Sequence, residues 1–167
     1  MGRKIKLLVC LTAALLLISC ASAGAEELVD YHNSYVENVN SKLPEINTLN
    51  EKSLSSASFE EALDVQKNEL LPLVNEIKDY IDSQEPESDI VKEYHLLRAD
   101  QVDTWYEAFQ MKHDVLESVV DQSISDEEAN EIIMEADEKF MEAGEKAQEA
   151  DQKMVDLADE HNLELEE

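Results

Sequence analysis

Between residues 129 and 161 one spacing repeats without a slip. Ala129, Ile133, Ala136, Phe140, Ala143, Ala147, Ala150, Met154, Leu157 and His161 alternate steps of four and three. Only a helix with one continuously buried stripe requires that pattern. Five of these ten residues are Ala, so the helix is expected to lie unusually close to its neighbours. The chain as a whole has little to interrupt helices, since it contains three Gly and three Pro.

Three earlier segments share the period. In the first, Leu28, Tyr31, Tyr35, Val39, Leu43, Ile46 and Leu49 form the stripe, and Pro44 predicts a kink or break. In the second, Phe59, Leu63, Gln66, Leu70, Leu73, Ile77 and Tyr80 do so, interrupted at Pro72. In the third, Ile90, Tyr94, Leu97, Trp105, Ala108, Val115 and Val119 share a frame, with Gln101 and Lys112 at its polar positions. A polar residue on such a seam fixes register at some cost in stability. Ser58 with Glu61, and Ser125 with Glu128, have capping-box spacing. The connections are "SLSSAS", "SQEPESD" and "QSIS". The expectation is an all-α, elongated up-down-up-down four-helix bundle with helices at about 26–54, 59–84, 88–121 and 126–161. The first two helices are expected to kink near Pro44 and Pro72. A three-helix arrangement with the last segment projecting or pairing elsewhere is the alternative.

The first 20 residues have a different character. Arg3, Lys4 and Lys6 precede an apolar run from Leu7 to Ile18. Twelve residues are too few for a comfortable membrane span, which takes roughly 20. Leu17-Ile18-Ser19-Cys20 follows. This matches the lipobox of bacterial lipoproteins, in which the cysteine sulfur receives a diacylglycerol and the chain is cut before it. Cys10 fails that test because Val9 is too large for the position before the cut. The reading is a lipoprotein signal peptide over 1–19, a lipidated terminus and short tether over 20–27, a bundle over 28–162 and an acidic tail over 163–167. An ordinary cleaved signal is the alternative, with small-residue sites at Ala21-Ser22-Ala23 and Ala23-Gly24-Ala25. Once Cys20 is acylated, no thiol is left for a disulfide.

All 40 acidic residues follow Cys20, against ten of the 13 basic ones, which leaves the mature chain at a net charge of −30. Phosphate binding needs a basic surface, so nucleic acid is excluded as a partner. Anionic headgroups repel the domain as well. Basic proteins, cationic peptides and divalent cations stay compatible, as does a merely solvated acidic surface.

Catalytic patterns are missing from the sequence. It contains no Gly-x-Ser-x-Gly, no glycine-rich phosphate loop and no His-Glu-x-x-His. Three residues before the four histidines stand Val29, Lys92, Gln110 and Ala158, so the di-iron Glu-x-x-His motif is absent too. An up-down-up-down bundle brings His32, His95 and His161 to one end. They are the candidate metal ligands, set against a reading as surface residues at a solvated pole. Tyr31, Tyr35, Tyr94, Trp105 and Phe109 are either core or the lining of a groove, and helical spacing favours core. Asp126 to Glu128 and Glu135 to Glu138 lack calcium-loop spacing and read as helix-start and solvent-facing charge.

The lipobox "LISC", the long acidic helices and "YHNSYVENVN" resemble the small helical lipoproteins of Gram-positive bacilli, among them the cell-wall-binding lipoprotein group. The resemblance implies a lipid on Cys20 and a place on the extracytoplasmic face of the cell membrane. It carries over no other functional residue. The expected role is non-enzymatic and without a cofactor: binding or structure in the envelope, with an envelope protein or wall polymer as partner. The alternative is a cation- or metal-binding lipoprotein using the acids and the polar-end histidines.

Overall fold

The computed structural model describes residues 22–163. The expected signal segment, Cys20 and residues 164–167 of the expected tail lie outside the described residues. The chain is an all-α bundle of four rods, with no strand among the described residues. The first rod is α1 (Ser22–Asn38), a 3-10 turn (Asn40–Lys42) and α2 (Leu43–Leu54). The second is α3 (Phe59–Val65), a π-helical segment (Gln66–Leu70) and α4 (Leu71–Asp82). The third and fourth are the unbroken α5 (Asp89–Val120) and α6 (Asp126–His161).

Both prolines break their rods as their chemistry requires. Pro44 has no N–H for the Asn40 carbonyl, so the Leu43 N–H takes that carbonyl in a tighter turn, and α2 starts afresh with proline in its first turn. Pro72 similarly stands in the first turn of α4. The preceding backbone widens instead, and the Leu71 N–H reaches back to the Gln66 carbonyl. Lys42 pairs with Glu76 and Lys52 with Glu69, which sets the first two rods antiparallel with both breaks at a similar level.

The capping sites differ in detail. Ser125 and Glu128 form the reciprocal box. Ser58 accepts from the Glu61 N–H, but the Glu61 carboxylate returns to the Ala57 N–H, one residue earlier than expected. At the start of α5 the cap comes from another rod: Glu27 accepts the N–H groups of Glu87 and Ser88 at 2.6 and 2.9 Å. Burial opposes the charge on Glu27, yet these bonds hold its pKa below the ordinary carboxylate value.

Helix α1 begins at Ser22, earlier than the expected 26, so the tether read over 20–27 is largely helical. Ala25 and Leu28 are buried, and the bare Gly24 admits Ile90, whose Cδ1 would lie 3.2 Å from an added Cβ. Packing thus carries the helix through a glycine that propensity alone would disfavour.

Helix α5 is the hub, touching α1, α3, α4 and α6. Its register with α6 is written in charge. Glu93, Asp100 and Glu107, seven residues apart, pair with Lys153, Lys146 and Lys139, seven apart in the opposite direction. Arg98 and Lys112 pair with Asp151 and Asp137 at double that spacing. Each exposed rung contributes little stability, but the set specifies one antiparallel register. Between the helices lie Ala129, Ala136, Ala143 and Ala150, all buried, as the small-residue seam requires.

Two apolar clusters fill the middle of the bundle and the pole where α1 starts. One is built around Tyr35, Ile46, Val74, Ile77 and Val102, the other around Leu28, Val91, Tyr94 and Met154. At the opposite pole the buried apolar side chains are small, among them Ala62, Val65, Val115 and Ala129.

Candidate functional site

Near the pole where α1 starts, a polar network is buried beside the apolar cluster. Arg98, the sole arginine after Cys20, is only 3% exposed. Its guanidinium stacks over the rings of Tyr35 and Tyr94, with centroids at 4.5 and 5.2 Å. Its Nε donates to the Tyr94 hydroxyl at 2.9 Å, Nη1 to Gln101 at 3.0 Å, and Nη2 to Asp151. Tyr35 donates to the same Gln101 oxygen at 3.3 Å. Burial works against the Arg98 charge, and the tyrosines and Asp151 nevertheless hold its pKa above the ordinary value.

The predicted histidines enter this network singly. Because Tyr94 accepts from Arg98, its own proton is free for His32 Nδ1, 3.1 Å away. His95 Nδ1 lies 2.8 Å from the Tyr31 hydroxyl. Burial lowers the pKa of both imidazoles, and the Arg98 charge lowers His32 further. Both rings are therefore neutral at pH 7. His161 closes the last turn of α6. Among the described residues no three His, Cys, Asp or Glu side chains converge to hold a metal ion. His32, His95 and His161 do not converge into a metal set; the Nδ1 atoms of His32 and His95 instead face tyrosine hydroxyls.

Tyr31, Tyr35, Tyr94 and Phe109 are core residues, and Trp105 is half-buried against Phe109. The two polar seam positions also have partners: Gln101 holds Arg98 and Tyr35, and Lys112 lies 5.0 Å over Phe140 while pairing with Asp137.

At the far pole the small buried residues leave space. An open groove of about 450 Å³ runs between the 53–60 turn, the start of the second rod and the facing ends of α5 and α6. Its apolar lining includes Phe59, Val115, Leu116, Val119 and Ile133. Leu54 and Phe59 on its rim are 73% and 62% exposed. Phe59 was expected on the seam; the widened backbone at 66–70 re-phases the helix, so burial runs through Ala62, Val65, Leu70 and Val74 instead.

Gln66 opens the π-helical segment and lines this groove. It is 8% exposed, and its Oε1 is buried without a hydrogen-bond partner. Such an orphan costs about 1–3 kcal/mol, and π-bulges concentrate where proteins act. Each hydroxyl beside it already makes one bond within the protein. Ser53 donates to the Ala62 carbonyl, Ser56 to the Lys52 carbonyl, and Ser58 accepts from Glu61. The groove therefore offers apolar surface and one unpaired amide oxygen.

No helix among the described residues is long and apolar enough to cross a membrane. Comparison of the chain with known protein families, with curated proteins and with solved structures returns no match.

Proposed function

We propose that this protein is a lipid-anchored lipoprotein on the extracytoplasmic face of the cell membrane, with a non-enzymatic binding role in the envelope. Cys20 carries the lipid, and the groove at the far pole engages an envelope protein or wall polymer. The observation that carries this reading is the apolar groove with its unpaired, buried Gln66 Oε1, placed at the end opposite the start of α1. Residues 22–54 rise about 1.5 Å each, so the first rod holds the groove roughly 45–50 Å from the anchored end. One amide oxygen and three engaged hydroxyls suit holding a partner better than transforming it.

The test is cell fractionation with labelled palmitate. The wild-type chain is expected to take label and sediment with membranes, and Cys20→Ala to lose both while folding normally. Equal label and sedimentation in the variant would overturn the anchoring half of the proposal. Phe59→Ser is expected to keep the anchor and to lose co-purification with isolated envelope; full retention would overturn the binding half.

A further inference from the structure

We propose that the far-pole groove takes a basic, amphipathic polypeptide segment, with the Gln66 Oε1 accepting from one of its peptide N–H groups. This rests on reading the groove as the binding face, and chooses between the two partner classes named above.

Three observations select the occupant. The first is the orphan itself. The orphaned Oε1 is an acceptor, and a peptide N–H is a natural donor to it. An acyl chain would seat on Phe59 and Val119 but leave that oxygen unpaired. The second is how little else is free. A glycan presents a hydroxyl at almost every ring carbon and needs a matching array, whereas Ser53, Ser56 and Ser58 already hold bonds within the protein.

The third is charge. Glu60 stands on the lining, and Lys112, the one cation there, is neutralised by Asp137 at 2.7 Å. Nine of the ten basic side chains after Cys20 are engaged in ion pairs. The mature chain still carries −30. A field of that sign repels anionic wall polymers and a second copy of this chain, and draws in a basic segment. Apolar side chains of the segment would rest on Leu116, Val119 and Ile133, with its cations outward toward Glu60.

The test uses the full lipidated chain in nanodiscs of zwitterionic lipid, with empty nanodiscs as blank. Four labelled probes are compared by fluorescence anisotropy. They are an amphipathic leucine–lysine peptide, the same peptide with serine for leucine, the same with glutamate for lysine, and soluble wall-polymer fragments. The leucine–lysine peptide is expected to bind, the serine version at least about tenfold more weakly, and the glutamate version not measurably. Phe59→Ser and Gln66→Met are each expected to weaken the parent peptide about tenfold, and Leu96→Ser, exposed on α5, to leave it unchanged. Equal binding of the leucine and serine peptides, or no loss with Phe59→Ser and Gln66→Met, would overturn the proposal. Phe59-dependent binding of wall fragments without peptide binding would overturn the peptide class and leave the groove as a binding face. No Phe59-dependent binding of any probe would overturn both.

Discussion

Asp151 is 68% exposed on its side chain, and a surface acid there should be dispensable; the buried arginine beneath it says otherwise. Arg98 has one opposite charge in contact, and that charge is Asp151. Replacing Asp151 by Asn leaves a guanidinium that is 3% exposed without its counter-charge. Stranding a buried charge costs about 3–5 kcal/mol when nothing else serves it. Here Tyr94, Gln101 and two tyrosine faces remain, so the expected loss is about 2–3 kcal/mol. Glu107→Gln, at the exposed Lys139 rung of the same interface, should cost less than about 1 kcal/mol. Arg98→Met keeps most of the volume and removes the charge. Tyr94 still reaches His32, Gln101 still accepts from Tyr35, and Asp151 returns to water. Its cost should stay under about 1.5 kcal/mol. In the Arg98→Met background Asp151→Asn should then add almost nothing. Urea unfolding followed by circular dichroism and Trp105 fluorescence gives all four corners of the cycle. The reasoning fails if Asp151→Asn costs no more than Glu107→Gln, or costs the same with and without Arg98.

Gly144 lies inside α6, where an added Cβ meets nothing within 4 Å, so Gly144→Ala should stabilise by about 1 kcal/mol in the same assay; destabilisation would contradict it. Gln66→Met should raise stability by about 1–2 kcal/mol by removing the orphaned oxygen, and a loss would mean that oxygen is satisfied. His32 and His95 have folded pKa values below the unfolded value of about 6.5. The unfolded chain therefore holds more protons just below that pH. Stability is full above about pH 6.5 and falls as the pH drops from there to the folded values. The urea midpoint should decline over that window, and less steeply in His32→Gln/His95→Gln; equal slopes would refute the assignment.

What could be read from the sequence follows from where each helix packs. Helix α6 has one buried stripe, so a strict alternation of four and three finds it, and Ser125 with Glu128 marks its start. The prolines were equally readable, because a missing N–H has local consequences. Helix α5 was misjudged because it is surrounded. A single frame through Leu97 and Trp105 left Arg98 and Val102 outside it, yet both are buried. The one available signal was that Tyr94 and Arg98 are four apart in a chain with no other arginine after Cys20. The Glu27 cap joins residues 60 apart in sequence, and no local pattern announces it. Gln66 lies on the seam as its spacing predicts, but the lack of a partner for its Oε1 is a property of the assembled surroundings, which periodicity does not see. The groove was invisible for the same reason: it exists because buried residues at one pole are small, and that is known only once the pole is assembled.

The central claim is a module held by Cys20 at one end and binding through its groove at the other. A photoreactive amino acid placed in living cells at Phe59, or at Leu96 as a surface control, tests it directly. The account predicts discrete adducts from position 59 in the membrane fraction, none of them from position 96, and their loss with Cys20→Ala. The same adducts from both positions, or adducts at 59 that persist unchanged without Cys20, would contradict it.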